Sequence, residues 1–74
     1  MATVEAVSTI ERIGETAGQI WNLLDLEGPL KMTQVVKQTD APRDVVMQAL
    51  GWLAREEKIS IDEESRARVV SLRY

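Results

Sequence analysis

Residues 42–61 read PRDVVMQALGWLAREEKISI. Proline fits the first turn of a helix, where its missing N–H removes no hydrogen bond. At 100° per residue, Val45, Val46, Ala49, Leu50 and Leu53 gather on one side of that helix, and Asp44, Met47, Gln48, Gly51 and Arg55 fall on the other. Trp52 sits at the boundary. Arg55, Glu56, Glu57 and Lys58 end the helix, and from Ile59 the chain alternates apolar and polar residues through Asp62, the period of a strand with one buried face. A helix with one apolar face therefore feeds directly into a strand, and the other segments are elements that pack around this unit.

Downstream, Arg68-Val69-Val70-Ser71-Leu72-Arg73-Tyr74 supplies a partner strand, with Val70, Leu72 and Tyr74 expected on the same inner face as Ile59 and Ile61. Glu63-Glu64-Ser65-Arg66-Ala67 reads as the loop between the two. Upstream, Thr33 to Thr39 reads as a short helix anchored by Val35 and Val36, with Thr33 as its cap or a start a residue or so earlier. Asp40-Ala41 makes the turn into Pro42. Leu30-Lys31-Met32 is long enough for a strand of one or two pairs, and Gly28-Pro29 breaks the chain before it.

The first helix is expected to begin at Ser8, whose hydroxyl and the Glu11 carboxylate form a capping box. Residues 1–7 then form a flexible terminus and 8–74 a single domain. Ile10, Ile13, Ala17, Ile20 and Leu24 recur every three or four residues and are expected to be buried. Gly14, Gly18 and Trp21 lie beside this stripe and Leu23 on its other flank. This apolar surface is wider than one helix of a small domain needs, so either the core wraps around it or part of it meets a partner. Gly14-x-x-x-Gly18 would most simply mean close approach by a neighbouring element.

Seventy-four residues make one core. With neither cysteine nor histidine in the chain, disulfides, thiolate nucleophiles, imidazole acid–base pairs and the usual zinc ligand sets are excluded. Twelve carboxylates remain, but they fall on helix surfaces, caps and a loop, and Asp62-Glu63-Glu64 lacks the spaced ligands and glycine of a calcium loop, so it reads as a solvated turn. The expectation is a protein that is not an enzyme, binds no cofactor or metal, and carries no evident small-molecule site. No apolar run approaches the roughly 20 residues of a membrane helix, and the chain opens without an apolar signal segment, so a cytoplasmic location off the membrane is expected. The net charge of −3 is uneven: residues 1–27 hold five acidic residues against Arg12 alone, and residues 28–74 hold eight basic against seven acidic. No plainly basic half announces a nucleic-acid binder.

The order of elements is helix, short strand, helix, helix, strand, strand, an α+β arrangement. With Ile20-Trp21-Asn22-Leu23-Leu24 before Gly28-Pro29, and Ala49-Leu50-Gly51-Trp52-Leu53-Ala54-Arg55-Glu56 leading into Lys58-Ile59, it resembles the winged helix-turn-helix superfamily. In particular it is similar to the small bacterial winged helix-turn-helix family of unknown function, DUF2582, from about Ile10 to Leu72. The resemblance implies a third helix that enters a DNA major groove and a hairpin wing that touches backbone or minor groove. Carried over by position, Arg43, Asp44, Met47 and Gln48 face bases, with Gly51 beyond them. Lys31, Thr33, Gln34 and Lys37, with Arg66 and Arg68 on the wing, face phosphates. The resemblance also implies a homodimer, in the role of a small transcriptional regulator. The alternative is a protein-interaction module that keeps the fold without binding DNA, meeting its partner through Trp21, Met47, Gly51 and Trp52. Arg66 and Arg68 have a second reading as partners for Asp62 to Glu64, and both tryptophans as packing at the edge of the core.

Overall fold

A computed structural model of the protein describes residues 2–64 and 66–73, and side chains from Thr9 onward except that of Glu64. Six elements follow one another: α1 (Ala2–Glu27), β1 (Leu30–Lys31), α2 (Met32–Gln38), α3 (Arg43–Arg55), β2 (Ile59–Glu64) and β3 (Ala67–Leu72). The strands form one antiparallel sheet in the order β1-β3-β2, so the last strand is central. This is the expected α+β order of a winged helix domain.

The core forms where the apolar stripes of α1 and α3 meet, with β3 packed against α1 and α2 and β2 against α3. All five side chains of the α3 stripe, Val45, Val46, Ala49, Leu50 and Leu53, are buried, as their spacing requires. Ile20 and Leu24 from α1, Val35 from α2 and Val70 from the central strand complete the centre. Each such side chain removed from water contributes about 1.5–3 kcal/mol, which is what holds short elements such as α2 in place.

Several boundaries differ from the sequence expectations. Helix α1 begins at Ala2, not at Ser8, so a capping box at Ser8 is not its start. Nothing between Ala2 and Val7 breaks a helix, and a Ser-x-x-Glu pattern inside a helix is indistinguishable by sequence from one at its end. Ile10 is 62% exposed, although it continues the stripe: the body of the protein ends near Ile13, and the helix runs past it. Its 26 residues span about 39 Å at 1.5 Å per residue, close to the molecule's longest dimension of 45 Å. No neighbouring element closes on Gly14 or Gly18, since a Cβ at either would meet nothing within 4 Å.

Helix α2 begins at Met32 with Lys31 as its cap, which places Thr33 inside the helix. The Lys31 N–H donates to Gln34 Oε1 at 3.0 Å, so a side chain in the first turn of α2 reaches back to the amide of the cap residue. Pro42 caps α3 from just outside it, and its carbonyl accepts the first helical hydrogen bond from the Val46 N–H at 3.0 Å. In the wing, β2 runs to Glu64 and β3 starts at Ala67. The register Glu63↔Arg68 and Glu64↔Ala67 puts three of the five residues of the expected loop in strand. Ile61 stands opposite Val70 yet is 39% exposed, because β2 is the edge of the sheet. Tyr74, expected on that inner face, lies outside the described residues.

Candidate nucleic-acid interface

The tight connection from α2 to α3 sets the geometry of the site. The Thr39 N–H closes α2 onto the Val35 carbonyl at 3.0 Å, and the Ala41 N–H turns back to the Thr39 carbonyl at 2.9 Å. The extended backbone of Pro42 then starts α3, so the first residues of both helices are presented on one side. The wing arrives there because β3 pairs with β1 through Leu30↔Val70 and Lys31↔Val69, which ties the hairpin to the start of α2.

Between these pieces lies a cleft of about 590 Å³. Its charged lining is Lys31 from the β1–α2 junction, Arg43 from the first turn of α3, and Arg66 and Arg68 from the wing, against Glu63. Four cations and one carboxylate make a local balance of +3 in a chain whose formal net charge is −3. Thr33 supplies a hydroxyl, and Met32, Val36, Met47 and Ala67 supply apolar surface. Arg68 Nε lies 3.4 Å from Glu63 Oε2, directly across the ladder. With side chains 59% and 77% exposed, that pair is weak, about 0–1 kcal/mol, and a phosphate can compete for the arginine.

Six of the ten residues expected to face DNA therefore share one cleft: Lys31, Thr33, Arg43, Met47, Arg66 and Arg68. The other four do not line it. Gln34 is turned back to the Lys31 amide. Asp44 Oδ1 accepts from the Val45 N–H at 2.9 Å, which places its charge at the N-terminal end of α3, where the helix dipole favours it. Lys37 is exposed in the last turn of α2, and Gln48 is exposed on the outward side of α3. Sequence reading missed Met32 and Val36 as cleft surface, and Glu63 as its acidic member.

The surface expected for protein contacts is split. Met47 and Trp52 are five positions apart, roughly 140° around the helix, and so flank the buried stripe on opposite sides. Met47 lines the cleft, whereas Trp21 and Trp52 line a separate groove between α1 and α3. Gly51 is exposed and lines neither. Among the described residues, no helix is long and apolar enough to cross a membrane.

Comparison with known proteins agrees with this geometry. A family model described as a winged helix-turn-helix domain (DUF2582) matches residues 8–72. An uncharacterized protein of the archaeon Methanocaldococcus jannaschii is 37% identical over 65 residues, covering 84% of this chain and 91% of that protein. The likeness expected to a bacterial family thus extends to an archaeal protein.

Proposed function

Since this chain belongs to the winged helix-turn-helix domain family DUF2582, we propose that it is a non-catalytic module that binds double-stranded DNA in the cleft between α2, α3 and the wing, and that it acts as a homodimeric transcriptional regulator. The observation that carries this reading is the gathering of Lys31, Arg43, Arg66 and Arg68 from separate parts of the chain around one concave surface. Arg43, in the first turn of α3, is the group that reaches a base edge, where a guanidinium pairs with two acceptors of guanine. Met47 offers an apolar contact one turn on, suited to a thymine methyl. Lys31, Thr33, Arg66 and Arg68 hold phosphates and fix the register.

Dimerisation answers a shortage of charge. Three cationic phosphate contacts, from Lys31, Arg66 and Arg68, give a log–log salt slope of about −2.7 at 0.9 per phosphate, and two protomers on one duplex about −5.4. A second copy also adds buried surface to a domain too small to bury much of its own.

The test is a fluorescence-anisotropy titration with mixed-sequence duplex DNA across a range of salt concentrations. The expected result is binding at low salt that falls with a slope between these two values. Folded protein that shows no binding at low salt overturns the proposal.

A further inference from the structure

On the flank of α3 opposite the cleft lies the groove of about 500 Å³ between α1 and α3. Its floor is Ala17 and Leu53, which are buried, and its walls carry Trp21 and Trp52. Trp52 is 47% exposed, a large apolar area left facing water. Gly14 and Gly18, one turn apart, leave the α1 side open, since a Cβ at either would meet no atom within 4 Å. We infer that this groove is the docking site for an amphipathic helix of another protein, one with an apolar face flanked by lysine or arginine.

The charge around the groove selects that occupant. Glu11 and Glu15 each stand three residues before one of the two glycines, which puts them on the same side of α1, and both are exposed. Arg12, the one basic residue among Thr9–Glu27, stands three residues before Glu15 and offsets it in part, which leaves this side of α1 net negative. The charged lining of the groove itself, Glu56 with Lys58 at 3.4 Å, is balanced, so Glu11 and Glu15 beyond its rim set the sign. DNA is repelled here. A second copy is disfavoured as well, because a two-fold interface sets this face against itself and brings like charges together. An apolar helix face covers the tryptophans, and its flanking cations meet Glu11 and Glu15. Because Arg43 and Met47 lie on the other flank of α3, such a partner leaves the basic cleft free, and the inference stands whether or not the cleft takes DNA.

The full chain is titrated with a synthetic helical peptide of about 18 residues, leucine on one face and lysine on the other, and with a twin in which glutamate replaces lysine. The lysine peptide is expected to shift the amide signals of Gly14 and Gly18 and the indole signals of Trp21 and Trp52, and to move tryptophan emission to the blue. The glutamate twin is expected to bind at least roughly tenfold more weakly. Gly18→Leu, which fills the groove where no neighbour stands, is expected to abolish the response while circular dichroism is unchanged. Glu15→Lys, an exposed change without risk to folding, is expected to weaken it. The inference is overturned if both peptides bind alike, if Gly18→Leu binds as well as the parent, or if the shifts fall on the wing. It is equally overturned if the groove signals move with protein concentration alone, since a second copy then fills the site.

Discussion

Glu57 sits at φ 60, the one non-glycine residue with positive φ among those described. It closes α3: its N–H donates to the Ala54 carbonyl at 3.0 Å and the Lys58 N–H donates to the Leu53 carbonyl at 2.9 Å, the paired bonds of a Schellman motif. A left-handed conformation costs an L-residue about 1–2 kcal/mol, and the exposed pair with Arg73 at 3.6 Å returns about 0–1 kcal/mol. Relief of that strain outweighs the extra freedom glycine has in the unfolded chain, so Glu57→Gly is expected to stabilise by about 0.5 kcal/mol net, read as a higher urea midpoint. At Gly28, φ 79 serves the same purpose after α1, and Gly28→Ala is expected to cost about 1 kcal/mol in the same measurement. Thr39 Oγ1 is buried and meets no hydrogen-bond partner among the described residues. Thr39→Val keeps the shape and removes the orphaned hydroxyl, so thermal unfolding should show a gain of about 1 kcal/mol, and a loss would mean that the hydroxyl is satisfied.

Among the elements, α3 was the most legible in the sequence, because five apolar residues at helical spacing admit one buried face and all five are buried. Leu50→Ala is expected to cost about 2–5 kcal/mol. A domain of this length has roughly 4–11 kcal/mol in total at 0.05–0.15 per residue, so the variant is expected to lose a large part of its stability, read as a lower urea midpoint. The wing was less legible. Glu63 and Glu64 have low strand propensity and read as part of the loop, yet pairing with β3 carries the strand through them. The two faces of the proposed interface should respond differently to substitution. Arg43→Ala is expected to lose about 1–3 kcal/mol selectively at one base position, whereas Arg66→Ala should weaken all sequences alike and reduce the salt slope by about 1.

At the scale of the molecule, charge is sorted by the fold and not by the order of residues. Lys31, Arg43, Arg66 and Arg68 are interleaved in the chain with Asp40, Asp44 and Asp62, and the second half sums to near neutrality. The fold brings the cations to one cleft whose lining includes Glu63 but none of those three aspartates, a separation that no window of sequence displays. The same sorting leaves α1 with an acidic face, so the molecule is bipolar. Its dimerisation is open to a direct check of solution mass by light scattering, where twice the 8.3 kDa of one chain is the expected result. The decisive experiment, however, follows the backbone amide spectrum while mixed-sequence duplex DNA is added at low and then moderate salt. Binding in the cleft predicts shifts at Lys31, Arg43, Met47, Arg66 and Arg68 that retreat as salt rises. A folded protein whose spectrum stays still at low salt, or moves only away from these residues, would contradict it.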